Sequence, residues 1–227
     1  MPGVPFSPFP DIFLSALDDA ARLQRPVIEI GCGDGRMLAA MAHRGVEAVG
    51  IDRISPELGS QADIVGDARS LPLRPAAVEI VVVANLLHHL LPGDEAAEFV
   101  RHWQGLLCPT GRLFIFGDVP ANDPPAVRNF RNLQDLLGRI TGGGRGPLRT
   151  MTEVRNLLDD GTGRWVFGQQ ENGRQPDTDA VIAFLAGEGV QPGGEVAALL
   201  AAIEAEGLDY GDYWWACWNR GRSDREE

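Results

Sequence analysis

Val27-Ile28-Glu29-Ile30-Gly31-Cys32-Gly33-Asp34-Gly35-Arg36-Met37-Leu38 is the stretch on which the fold turns. Its largely apolar start reads as a buried strand, which breaks into three glycines at alternate positions, Gly31, Gly33 and Gly35. An Ala-, Met- and Leu-rich helical pattern follows from Arg36 to about His43. Strand, glycine turn and helix in that order open a nucleotide-binding βαβ unit. Glycine can take positive φ and lets a ligand lie against bare backbone. The N–H groups that open the helix then face that ligand. A dinucleotide fingerprint needs Gly-x-Gly-x-x-Gly, but Arg36 stands at the third glycine position and the extra glycine comes one residue early. Glu29 precedes the turn. Its carboxylate would repel a pyrophosphate and attract an ammonium or sulfonium group.

Working outward, Val46 to Ile51 reads as a second strand ending in Asp52, with Arg53 beside it. A carboxylate there suits two hydrogen bonds to ribose hydroxyls, in an NAD enzyme as much as in any other binder of adenosine. A short strand from Ala62 to Val65 leads into Gly66-Asp67-Ala68. Ala77 to Ala84 is the most β-branched run and reads as a central buried strand. It ends in Asn85-Leu86-Leu87-His88-His89, where imidazole offers a general base that titrates near neutrality. An amphipathic helix over Asp94–Leu107 is followed by a turn and a fifth strand, Leu113 to Gly117, that ends in Asp118.

The flanks are less regular. Residues 1–10 are proline-rich and read as an extended arm before a helix from Asp11, its N-cap, to Leu23. Residues 119–150 hold a helix from about Asp123 to Ile140, whose Arg128 and Arg131 read as a solvated face, and then a glycine run at 142–146. A helix over Met151–Leu158 takes Thr152 as N-cap, and Arg164–Gln170 reads as strand six. Two Ala-rich helices, Asp179–Ala186 and Glu195–Glu206, precede strand seven within Tyr210–Asn219. The tryptophans of that last strand read as sheet-face core, and an exposed edge there would suit a dimer surface.

In this order the chain resembles the class I S-adenosyl-L-methionine (SAM)-dependent methyltransferases. Glu29, Gly31, Gly33 and Gly35 match their Asp/Glu-x-Gly-x-Gly-x-Gly motif I, and Leu107-Cys108-Pro109-Thr110-Gly111-Arg112-Leu113 matches their Leu-x-Pro-Gly-Gly-x-Leu turn with Thr110 for the first glycine. The resemblance implies an α/β, Rossmann-like, doubly wound sheet of seven mostly parallel strands, the last antiparallel, with helices on both faces. It implies residues 1–24 as arm and cap helix, and 25–227 as a methyltransferase domain with inserts at 119–150 and 176–208 shaping the acceptor side. By the same resemblance Glu29 and the loop Gly31, Cys32, Gly33 and Gly35 hold the methionine end of SAM. Asp52 takes the ribose, with Arg53 beside it also counted to the cofactor site, Asp67 and Ala68 take the adenine, and Asn85 and Leu86 border the donor. His89 and Asp118 are the candidates for a base. The methyl passes to an O, N, S or C atom, leaving S-adenosyl-L-homocysteine, and no metal is expected because strand four offers only Asn85 as a further ligand.

A formal net charge of −12 argues against a nucleic-acid-tracking surface and for a small-molecule acceptor. Three scattered cysteines suit a reducing cytoplasm, and no apolar run approaches membrane-spanning length. Monomer and homodimer both fit. Two other readings stay open: a SAM-binding partner protein without catalysis, and an NAD(P)-linked oxidoreductase.

Overall fold

The computed structural model describes residues 8–23, 26–89, 95–118, 124–141, 150–159, 161, 164–172, 179, 182–183 and 194–220. Seven strands form one sheet: β1 (Val27–Ile30), β2 (Ala48–Asp52), β3 (Ile64–Val65), β4 (Val78–Ala84), β5 (Leu107–Asp118), β6 (Trp165–Gln170) and β7 (Tyr213–Asn219). Their order is β3-β2-β1-β4-β5-β7-β6. The first five strands run parallel, while β7 pairs antiparallel with both β5 and β6. The strand order therefore reverses between β1 and β4, and the crevice beyond the carboxyl ends at such a switch point is where α/β sheets bind ligands.

Six helices complete the chain in the described residues: α1 (Asp11–Leu23), α2 (Arg36–Ala42), α3 (Glu95–Leu106), α4 (Pro125–Thr141), α5 (Met151–Leu158) and α6 (Glu195–Glu206). Strand alternation divides the core into two layers. Val81 and Val83 of β4 and Leu113 and Ile115 of β5 meet Trp103 of α3, Val154 of α5 and the sheet tryptophans Trp165, Trp214 and Trp218. Ile80, Val82, Phe114 and Phe116 point the other way, onto Phe13 and Leu17 of α1 and Met37 and Met41 of α2. Each such side chain, fully buried, contributes about 1.5–3 kcal/mol. The tryptophans expected in the sheet face are there.

The arm at residues 8–10 packs down on the sheet. Phe9 sits edge-on to Phe13 and Phe116, and the Tyr213 hydroxyl donates to the Pro8 carbonyl. Residues 1–7 lie outside the described residues, as do most of the expected helix at 179–186 and all of the glycine run at 142–146.

Four local expectations are corrected. The first-turn N–H groups of Phe13 and Leu14 bond to the Pro10 carbonyl, so Asp11 lies inside the helix start and not at its cap; its charge there faces the helix dipole favourably. The cap of α5 is Thr150, not Thr152: Thr150 accepts from the Glu153 N–H while the Glu153 side chain accepts from the Thr150 N–H. Only Thr150 stands three residues before Glu153, as a capping box requires. Strand five begins at Leu107, since the expected turn stays attached to β4 across a register shift from Val78↔Leu107 to Ile80↔Arg112. The Glu79 carboxylate secures that irregularity by accepting from the Cys108 thiol at 3.1 Å. Last, Arg131 is no solvated residue: only 11% of its side chain is exposed, and it pairs with Asp118.

The segments expected as inserts contribute α4 and α6, which pack on one another. Phe130, Leu133 and Leu136 meet Leu199, Ile203 and Leu208 in a small third core. The buried Asn129 amide donates to the carbonyls of Ala202 and Gly207, satisfying the C-terminal end of α6. Arg139 pairs with Glu195 at 2.6 Å on the surface of this helix pair.

Candidate functional site

All the residues singled out in sequence lie where the parallel strands end. After β1 the chain folds back on β2: the N–H groups of Gly31 and Cys32 both donate to the Ile51 carbonyl, at 2.7 and 3.2 Å. Gly31, Gly33 and Gly35 take φ of +75°, +49° and +76°, the left-handed region that motivates glycine. Space distinguishes them. A Cβ on Gly31 would lie 2.9 Å from Leu86 Cδ1, and one on Gly35 would lie 2.6 Å from Gln61 Cβ, whereas one on Gly33 meets nothing within 4 Å. The outer two glycines are packing positions, and Gly33 exposes backbone to open space.

Asp52 stands across from that opening. Its Oδ2 accepts from the Gly33 N–H at 2.8 Å and its Oδ1 from the Ile54 N–H at 2.9 Å. An ionised carboxylate has about four acceptor positions, so roughly two remain. Arg53, next in the chain, is exposed. The Cys32 thiol is buried, and burial, then the charges of Glu29 and Asp52, push it up to about 12. A Cβ on Gly50 would lie 2.8 Å from the Cys32 sulfur. The side chain of Cys32 is thus core packing, leaving its backbone to the turn.

Glu29 is only 2% exposed, and its Oε2 has no hydrogen-bond partner. Burial foremost, and then the charges of Asp34 and Asp52, hold its carboxyl well above the ordinary range, against a hydrogen bond from the Leu38 backbone. Carboxylates gathered around a glycine turn form a cation-seeking environment.

At the end of β3, Asp67 is held by Arg69, whose Nε lies 2.8 and 3.0 Å from the two carboxylate oxygens. Those hydrogen bonds, together with the Arg69 N–H, lower its pKa to about 2. The neighbouring Ala68 carbonyl accepts from Trp103 Nε1 at 2.8 Å, which pins this loop to α3. Neither Trp103, a residue of the amphipathic helix, nor Arg69 is among the residues that the sequence singles out. An arginine two residues after Asp67 was the available signal for the second; nothing in sequence announced the first.

Asn85 ends β4 with φ +52°, a left-handed conformation uncommon outside glycine. Its N–H bonds to the Phe116 carbonyl, and its buried Oδ1 has no partner. Leu86 packs over Gly31, so the end of β4 touches the turn after β1. His89 is exposed on a short 3₁₀ turn, Leu87–His89, and its N–H bonds to the Leu86 carbonyl. The side chain of His88 lies outside the described residues. Asp118 ends β5 nearly buried, with its Oδ2 3.1 Å from Arg131 Nη1 of α4.

Glu29, Gly33 and Asp52 gather at the turn, Asp67 and Ala68 flank it beyond β3, and Asn85 and Leu86 close its other side. An adenosyl ligand with a cationic amino-acid end fits this set. Gly33 would offer it bare backbone, Asp52 has acceptor positions left for hydroxyls, and Glu29 has an unpartnered oxygen to face a positive charge.

Known proteins resemble the chain in part of its sequence and in its fold. Residues 28–115 match the family described as "Methyltransferase domain". A protein named as an uncharacterized methyltransferase in Mycobacterium tuberculosis is 31% identical over 123 residues, which is 51% of this chain and 47% of that protein, and its Mycobacterium bovis counterpart matches equally. The chain thus spans about half the length of the curated relatives it matches. Among solved structures, a cyclopropane-fatty-acyl-phospholipid synthase-like protein from Lactobacillus casei superposes with TM-score 0.60 at 17% identity, covering 91% of this chain and 89% of that one. The YcgJ protein from Bacillus subtilis gives 0.55 at 15% identity, over 91% and 98%. A SAM-dependent methyltransferase from Archaeoglobus fulgidus gives 0.51 at 12%, over 90% and 93%. Residues 28–115 thus match a methyltransferase domain family, and the chain as a whole shares the Rossmann-like fold of these solved structures.

Proposed function

We propose that this protein is a methyltransferase that binds SAM at the glycine turn and methylates an O, N, S or C atom of a small molecule. The observation that carries the reading is the Asp52 carboxylate fixed on the Gly33 N–H, beside the unpartnered oxygen of buried Glu29. Glu29 and the backbone of Gly31, Cys32, Gly33 and Gly35 hold the methionine end. Asp52, flanked by Arg53, takes the ribose, Asp67 and the Ala68 N–H take the adenine, and Asn85 and Leu86 border the donor. The bound cofactor supplies a methyl group already activated by its positive sulfur. The protein contributes orientation, proximity and exclusion of water, which can supply about 7–11 kcal/mol of a barrier. The helix pair α4 and α6, from segments 119–150 and 176–208, shapes the acceptor side, tied to the sheet by Arg131 and Asp118. A net charge of −12 favours a small metabolite over nucleic acid. Three scattered cysteines suit action in a reducing cytoplasm; no helix among the described residues is long and apolar enough to cross a membrane.

A second reading, a SAM-binding partner protein without catalysis, draws on one observation. Asp118 is already engaged by Arg131, and the other candidate base, His89, is exposed. An NAD(P) enzyme is disfavoured by Arg36, which stands where a dinucleotide fingerprint needs its third glycine. Calorimetric titration with SAM, S-adenosylhomocysteine and NADH tests the reading. SAM and its product bind in the micromolar range and binding collapses in Asp52→Ala; preference for NADH, or no binding of SAM, refutes it. A screen of amine, hydroxyl and thiol acceptors then separates the enzyme from the silent binder.

A further inference from the structure

Glu29 is more deeply buried than its role as a simple counter-charge requires. Its strand neighbours in register are Gly50 and Val82, neither of which carries a charge. On the same face of β1 as Val27, it looks toward the layer formed with α1 and α2, where Phe13, Ala16 and Met37 are apolar. The groups that act on it electrically are Asp34 from the turn, Asp52 from β2 and the Leu38 N–H from α2. Arg36, at the start of α2, is committed to Asp34 at 2.7 Å. Among the described residues Glu29 forms no ion pair with a cation. A buried carboxylate with one unpartnered oxygen and two carboxylates nearby is costly to ionise. The nearby open space is at Gly33, on the ligand side.

We propose that Glu29 is the charge-selecting residue of the site: it is protonated in the ligand-free protein and gives up that proton when a cationic ligand head reaches the glycine turn. The proton passes to solvent and the ligand keeps its own charge, so binding of a SAM-like molecule releases one proton. A neutral adenosine compound releases none. This rests on the SAM-binding reading above and adds how the site tells a cationic ligand from a neutral one. Below the pKa of Glu29 in the free protein, affinity for the cation rises roughly tenfold per pH unit; above it, affinity levels off.

The test is calorimetry on the full chain in two buffers of different ionisation enthalpy, from about pH 5.5 to 7.5, where ordinary carboxylates stay ionised and a ligand α-ammonium stays largely charged. The probes are SAM and 5′-methylthioadenosine, which shares the adenosine and the 5′-sulfur with its methyl group but carries neither ammonium nor sulfonium. SAM should release close to one proton at the acid end and tighten as pH rises. 5′-Methylthioadenosine should release none and bind with a flat pH profile. In Glu29→Gln, SAM binding should be weak, flat and free of proton release, while 5′-methylthioadenosine binding is kept as a check on folding. SAM binding without proton release in the wild-type chain overturns this inference and leaves the methyltransferase reading standing. Absence of binding by every adenosyl compound overturns both.

Discussion

The two ends of this sheet are built by different means. Around β1, β2 and β3 the site is made of backbone: a glycine turn, its N–H groups on the Ile51 carbonyl, and one carboxylate fastened to Gly33. Beyond β5 it is made of side chains from distant segments: Arg131 on Asp118, and Asn129 reaching the end of α6, 73 residues away. The first construction needs only two short stretches, the Gly31–Gly35 turn and the end of β2 at Ile51 and Asp52. The second depends on how two separate segments dock, and such a region can change its ligand without disturbing the first.

Substitutions sharpen this contrast, beginning with the largest effect. Arg131→Met should cost about 3–5 kcal/mol in stability by removing the cation that faces the nearly buried Asp118 carboxylate. Adding Asp118→Leu should restore most of the loss. Urea denaturation of the single and double variants measures both; equal loss in the two would mean that the pair does not couple the helices to the sheet.

At the other end, Glu29→Gln should stabilise the ligand-free protein in a pH-dependent way. Burial raises the Glu29 pKa, so as pH climbs past the carboxylate range the unfolded chain ionises first and the native state loses about 1.4 kcal/mol per pH unit. That loss stops once pH passes the raised native pKa. Glutamine does not ionise, so the variant gains on the wild type from about pH 4.3 upward and matches it below that. Melting curves at several pH values give the difference, and a pH-independent gap would remove Glu29 from the account.

Gly33→Ala should cost about 1–2 kcal/mol in stability, because φ is positive there while no atom obstructs the added methyl. Its effect on ligand binding should exceed its effect on melting, since the methyl enters the open space. Thr150→Ala is the smallest, about 1 kcal/mol from loss of the α5 capping box, with no change in ligand affinity. If it weakened SAM binding as much as Gly33→Ala, the proposed separation between site and scaffold would fail.

The same contrast explains what could be read from sequence. The turn at Gly31–Gly35, the strand ending in Asp52 and the Val81–Val83 run are local patterns whose physics lies within a few residues, and the structure has them in place. Caps were off by small distances: Asp11 by one residue, because the cap position falls on Pro10, which has no side-chain oxygen to signal it, and Thr152 by two, because Thr150 offers the same hydroxyl. The early start of β5 depends on Glu79 holding Cys108 from another strand, which no window on either segment contains. Arg131 looked like a surface residue since its partner is thirteen positions upstream on a different element. The left-handed Asn85 carried only a weak local signal, since asparagine adopts that conformation more often than other non-glycine residues but far less often than glycine.

The central claim is that an adenosyl ligand lies across the ends of β1 and β2, and a crystal structure of the chain with S-adenosylhomocysteine tests it most directly. The account predicts ribose hydroxyls on Asp52, adenine beside Asp67 and Ala68, and the ammonium toward Glu29 over Gly33. Ligand density elsewhere on the molecule, with Asp52 and Glu29 untouched, would contradict it.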